Sequence, residues 1–212
     1  MSDADQERRN RETVEAWTLA GSILADALPR RWAHSLGVGD RALEVGPVVA
    51  PTREGTALLA QAGILHDVGY SRAALETGFH PLDGARYLRS VGVDDQVVSL
   101  VAHHSCAALE AQERGLDKAL LEFPSGPPAL TDGLIFCDMT VSPDGVPVNV
   151  DDRISDILTR YGPDSVVGQF IARAEPELRA AVHRVALQLR HTGRETLASA
   201  SIRGDAPASP PT

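Results

Sequence analysis

Apolar residues recur at three- and four-residue spacings along most of this sequence, and this periodicity constrains the fold more than any other feature. Such spacing places the apolar side chains on one face of an α-helix. Residues 7–28 show it clearly and predict an amphipathic helix near the start of the chain. No segment of useful length shows the alternation of apolar and polar residues that is typical of a half-buried strand. The pattern therefore predicts an all-α fold.

Proline and glycine residues mark where the predicted helices begin and end. Pro29 permits a new helix to start toward His34, because proline is favoured in the first helical turn. The glycines and prolines between residues 37 and 51 indicate a break before the next helix. We expect the remaining helices at residues 54–67, 80–91, 94–108, 129–140, 150–161 and 164–190.

The domain organisation follows from length and composition. Aliphatic side chains must build the core, because only 4% of the residues are aromatic. A length of 212 residues fits one helical domain with a tail. We expect residues 1–28 to form a helix that packs on the core and residues 29–190 to form the single domain. The polar, proline-containing end predicts a disordered tail at residues 191–212.

The formal net charge of −9 limits the partners that the chain can attract. Nucleic acids and anionic membranes select basic surfaces, so we expect neither of them as a partner. No apolar run approaches the roughly 20 residues that span a bilayer, and the charged N-terminus is unlike a signal peptide. We therefore expect a cytoplasmic protein with a small-molecule substrate, and the sequence leaves its oligomeric state open.

Histidine is concentrated where the sequence is otherwise apolar. Five of the seven histidines lie in or beside apolar helical segments. These are His34, His66, His80, His103 and His104. Imidazole is the commonest protein ligand for transition metals, and aspartates such as Asp67 and Asp138 add a hard oxygen ligand. The residue types therefore predict a metal site inside the helical domain.

His66 and Asp67 can serve one site only where the backbone leaves regular helical geometry. Adjacent residues on a helix point about 100° apart. Gly69 follows closely and makes an irregular exit from the helix feasible. The other ligands must then come from helices that face this pair across the core.

The order of these residues resembles the signature of the HD-domain superfamily of metal-dependent phosphohydrolases. That signature is a histidine, an adjacent His-Asp pair and a distant aspartate, which His34, His66-Asp67 and Asp138 match. His80 and His104 match the two further positions of dinuclear members. The resemblance covers roughly residues 30–141 and implies a single-domain helical bundle of the HD type.

The resemblance also implies a chemistry. One or two divalent metal ions activate water to attack phosphorus in a small phosphorylated substrate, a class that includes nucleotides. The identity of the metal is open among manganese, iron, zinc and others. The implied ligands are His34, His66, Asp67, His80, His104 and Asp138, with His103 as a further candidate. Asp67 and His66 are the expected catalytic residues. Arg86, beyond His80, is the expected phosphate contact, and Tyr70 stands where many members carry a phosphate-facing lysine.

Two other functions fit the same residues. Di-iron oxygenases of the HD type use the same ligand set to cleave bonds with dioxygen. A regulatory module that binds a nucleotide through a structural metal, without catalysis, would also keep it. The single residues have plainer interpretations too, since His80 before Pro81 can simply begin a helix, His103 can be a packing residue and Asp138 can cap a helix.

Overall fold

The computed structural model describes residues 3–199, 201 and 202, with side chains described at residue 7 and from residue 11 onward, and within them the chain is all-α, as predicted. The helices are α1 (Asp3–Leu24), α2 (Pro29–Val49), α3 (Arg53–Leu65), α4 (His80–Ser90), α5 (Asp95–His103), α6 (Ala107–Arg114), α7 (Asp117–Leu120), α8 (Pro128–Met139), α9 (Val150–Tyr161), α10 (Val166–His191) and α11 (Glu195–Ser199). Single turns of 3-10 helix lie at Val68–Tyr70 and His104–Cys106. In this part of the chain, β structure is confined to an isolated bridge between Val141 and Pro147.

Helix α2 runs through the glycines and the proline that we expected to break it. A Cβ atom on Gly39 would lie 2.7 Å from the Trp17 ring of α1, and one on Gly46 would lie 2.7 Å from Thr56 of α3. These glycines therefore let α1 and α3 approach α2 closely. Pro47 falls in the last turn of α2, where its missing N–H removes only one hydrogen bond. The predicted break was wrong because the glycines serve packing between helices.

Helix α3 forms the centre of the bundle. It packs against α1, α2, α5 and α8, and every residue from Leu58 to Leu65 is buried. A helix that is apolar on all sides belongs in the middle of a core. Its C-terminal end therefore delivers His66 and Asp67 to the interior, where both side chains are almost completely buried.

Part of the C-terminal segment for which we expected disorder is folded. Helix α11 follows α10, and Ala198 within it is buried. Ser201 accepts a hydrogen bond from Arg41 at 3.2 Å, and its carbonyl accepts one from the N–H of Val150 at 3.1 Å. The prediction of disorder was wrong for residues 191–199, 201 and 202, while residues 200 and 203–212 lie outside the described part. The predicted domain boundaries at residues 28 and 190 stay predictions.

The described helices include none that is both long and apolar enough to cross a bilayer.

A buried carboxylate holds the loop that leads into α4. Asp83 is fully buried and accepts hydrogen bonds from the backbone N–H groups of Glu76, Thr77 and Gly78, at 2.9 to 3.1 Å. It also accepts one from the Thr77 hydroxyl at 2.6 Å. Because α4 begins two residues after Gly78, this carboxylate fixes where His80 enters the core.

Replacing Asp83 with alanine leaves three backbone donors without their acceptor. We expect the free energy of unfolding, measured by urea denaturation, to fall by about 3 kcal/mol or more. The matched variant Asp26→Ala, in the exposed turn after α1, should change it by less than about 0.5 kcal/mol. Equal effects of the two variants would show that the loop does not depend on this carboxylate.

Candidate metal centre

The backbone leaves helical geometry at the His-Asp pair. Helix α3 ends at Leu65, and Asp67 has φ −97° and ψ 3°, outside the regular helical region. Gly69 allows the next turn to lie against α4, since a Cβ atom there would sit 1.9 Å from the His80 carbonyl oxygen. The irregular exit that Gly69 predicted is therefore present, and it brings Asp67 and His80 together.

Three histidines are anchored through Nδ1, so that each presents Nε2 to the interior. The Nδ1 atoms of His34, His66 and His104 lie 3.0, 2.7 and 2.6 Å from the carbonyl oxygens of Ser142, Gly63 and Val101. A carbonyl only accepts hydrogen bonds, so each Nδ1 carries a proton and donates it. Each Nε2 atom therefore points away from its carbonyl, and this backbone anchoring is typical of metal-binding histidines.

The six residues that match the HD-domain signature form two groups of potential metal ligands, called donors below. One group contains His34, His66 and Asp138, and the other contains Asp67, His80 and His104. Within each group the ligand atoms lie within 4.8 Å of one another. The groups meet at the adjacent pair, where His66 Nε2 lies 3.4 Å from Asp67 Oδ1. Each group thus supplies two imidazoles and one carboxylate.

Several contacts between these donors need a proton or a metal ion between the two atoms. His34 Nε2 lies 3.0 Å from Asp138 Oδ1, and His80 Nε2 lies 3.1 Å from His104 Nε2. Two lone-pair atoms repel at this distance unless a proton or a metal ion is shared. Within the described part of the chain, the buried His66 Nε2 has no hydrogen-bond partner. An orphaned buried acceptor is costly, so these donors fit a bound divalent metal.

Electrostatics keep the donors in the protonation states that bind metals. Burial alone would raise the pKa of Asp67, but electrostatic interactions with the neighbouring His66 imidazole and Arg31 guanidinium outweigh it and hold the pKa well below the ordinary value. For Asp138, a hydrogen bond from His34 outweighs burial in the same direction. Burial lowers the pKa of His80 and of His104. At neutral pH the centre therefore holds two carboxylates and neutral imidazoles at these positions, which are the ligating forms.

Two predicted site residues lie away from this cluster. His103, the last residue of α5, directs Nε2 to the Phe123 carbonyl oxygen at 2.9 Å. Arg86 pairs with Glu122, and with Glu76 at 3.2 Å. It does not line the pocket beside the cluster. A metal-binding role for His103 and a substrate contact for Arg86 stay predictions, and this geometry lends them no support.

A kink that the sequence did not predict separates these two neighbouring histidines. We expected one helix over residues 94–108, but α5 ends at His103, and Ser105 and Cys106 have φ of 47° and 63°. Left-handed geometry at two consecutive non-glycine residues is unusual and marks local strain. The kink turns His104 inward and lets the Ser105 hydroxyl donate to Asp138.

Two arginines complete the centre and were missed in the sequence. Arg31 donates to Asp67 Oδ2 at 2.9 Å and to the Tyr161 hydroxyl at 3.1 Å. Arg153 is buried and lies 3.4 Å from Asp138 Oδ1. Arg31 could have been found, because it precedes His34 by one helical turn and so shares its face of α2. Arg153 carries no local signal, since only the fold brings α9 to this position.

An open pocket lies beside the cluster. Asp67, His80, His104 and Asp138 form its polar side. Arg31, Arg153 and Arg160 also line it, together with apolar residues of α9 and α10. A ligand in this pocket would contact both the donor groups and positive charge.

Removing one histidine from each group should separate the two metal positions. We expect the His34→Ala and His80→Ala variants each to retain about one metal ion per chain after dialysis, where the unaltered protein retains two. Elemental analysis by mass spectrometry measures this. The exposed His183→Ala serves as the matched control and should leave the count unchanged. An unaltered count in His80→Ala would exclude the second position.

Comparison with known proteins agrees with this geometry. Residues 31–131 match the family model of the HD domain. Five of the six clustered donors lie within the match, and Asp138 follows shortly after its end. No curated protein and no solved structure matches the chain. The match and the two donor groups together show that residues 31–131 form an HD domain, and that its histidines and aspartates are compatible with the metal-ligand set of that domain.

Proposed function

We propose that this protein is a metal-dependent phosphohydrolase that acts on a small phosphorylated substrate. The observation that carries the proposal is the pair of donor groups joined by His66 and Asp67 on the wall of an arginine-lined pocket. Bound divalent ions supply a water nucleophile at neutral pH and neutralise charge on the phosphoryl oxygens. Imidazole and carboxylate donors suit manganese, iron and zinc alike.

Each group of donor residues would hold one metal ion. His34, His66 and Asp138 would hold one ion, and His80, His104 and Asp67 would hold the other. Asp67 Oδ1 faces the donors of both groups, at 3.4 Å from His66 Nε2 and 3.7 Å from His80 Nε2. This placement suits a carboxylate that serves both positions.

Arg31 has the position and charge to contact the substrate phosphate. Its guanidinium carbon lies 3.8 Å above the centre of the Tyr70 ring, and that ring stacks on His80 at 4.0 Å. Tyr70 occupies the place of a common family lysine, so Arg31 brings a cation back to the same place. A guanidinium has five N–H donors, and contacts to Asp67 and Tyr161 leave others for phosphoryl oxygens.

Activity on a generic phosphate ester tests the proposal. With manganese bound, we expect phosphate release from p-nitrophenyl phosphate, and Asp67→Asn should lower kcat at least about a hundredfold, because the amide cannot serve as a carboxylate ligand. The exposed Asp26→Asn is the control, and circular dichroism checks that both variants stay helical. Oxygen uptake by the iron-loaded protein, without phosphate release under any metal, would replace hydrolysis with the oxygenase function. Nucleotide binding with neither activity would indicate the regulatory module.

Two adjacent arginines provide a matched test of the phosphate contact. Arg31→Gln should lower kcat/KM by about 10- to 100-fold, the value of one charged hydrogen bond, and Arg31→Lys should restore part of it. Arg30 pairs with Asp144 on the surface, so Arg30→Gln should change little. Equal losses in Arg30→Gln and Arg31→Gln would indicate a general effect of charge.

A further inference from the structure

The pocket has a second wall that the metal chemistry does not use. It consists of apolar side chains on α8, α9 and α10: Met139, Ile157, Val167, Phe170, Ile171 and Leu178. All of them lie beyond residue 131, where the family match ends. The metal donors therefore come mostly from the shared domain, whereas this wall comes from the C-terminal helices of this chain.

Most of the polar side chains that line the pocket already have partners. Glu110 is paired with Arg114 at 2.7 Å. The Ser105 hydroxyl donates to Asp138, and the Tyr161 hydroxyl accepts from Arg31. Among the described residues, the lining contains neither asparagine nor glutamine. A site that selects a nucleobase needs several donors and acceptors directed at the base edge, and most polar side chains of the described lining are already engaged with other groups.

Charge in the pocket is unevenly distributed. Arg31 and Arg153 lie beside the metal donors, and Arg160 lies about two helical turns beyond Arg153 on α9. Val167 and Phe170 lie on α10 and carry no charge. A ligand that satisfies both parts has a phosphate at one end and an apolar group at the other.

We propose that the substrate is a phosphate ester of a compact apolar alkyl or aryl group, and not a nucleotide. This inference rests on the proposed function, because it takes the metal donors as the place of the phosphoryl group. The wall of α9 and α10 then holds the apolar group, and specificity comes from helices outside the family match. Each methylene that leaves water should raise affinity about fourfold.

A series of alkylphosphonates measures this directly, because their P–C bond resists hydrolysis. With the manganese-loaded full chain, isothermal titration calorimetry should show butylphosphonate binding at least tenfold more tightly than methylphosphonate. AMP should bind no more tightly than methylphosphonate. Equal affinity for the two phosphonates, or tighter binding of AMP, would overturn the proposal.

Neighbouring valines give a matched pair of variants. Val167 lines the pocket, whereas Val166 is 42% exposed and does not. Val167→Asn should abolish the advantage of butylphosphonate, and Val166→Asn should keep it. If Val167→Asn does not fold, Phe170→Leu provides the second test, because the altered apolar wall should change the affinity ratio between hexyl- and butylphosphonate. An unchanged ratio in the variant that folds would count against the wall.

The two proposals fail in different ways. Hydrolysis of nucleotides in preference to butyl phosphate would keep the phosphohydrolase function and overturn the apolar substrate. Tight binding of butylphosphonate without hydrolysis of any phosphate ester would support the apolar pocket and overturn the phosphohydrolase function.

Discussion

Burial of an ionisable pair at the end of a central helix is the constraint on which the rest of this structure depends. Helix α3 is surrounded by apolar side chains, and His66 and Asp67 continue it into the interior. An isolated buried carboxylate would shift to its neutral form, because removing charge from water is costly. The surrounding residues prevent this through histidines, through Arg31 and through backbone carbonyls that fix the imidazoles of His34, His66 and His104.

Under the proposed function, the centre also has to attract an anion into an acidic protein. The net charge of −9 produces a field that repels phosphate at long range. Arg31, Arg153 and Arg160 counter it locally, and α9 contributes two of these three arginines. The helix that follows the family match thus supplies both positive charge and part of the apolar wall.

The sequence predicted the all-α class and the donors that come together, because residue type, order and helical context all carry that information. It did not predict the path of α2, because a glycine that packs against a tryptophan cannot be distinguished from a glycine in a turn. It ranked His104 above His103 but kept both as candidate ligands, because no local pattern encodes the kink at Ser105, whose hydroxyl contacts Asp138 far along the chain. Arg153 approaches His34 across 119 residues, and no local pattern encodes such a pairing.

The left-handed residues Ser105 and Cys106 link the conformational energy of the backbone to the contents of the centre. Each such residue costs about 1–3 kcal/mol, and neither is the glycine that would reduce this cost. The native contacts of this turn, including the one to Asp138, offset this conformational free energy. A ligand that binds Asp138 only in the folded state stabilises that state by its binding free energy. Ligand occupancy and resistance to unfolding should therefore rise together.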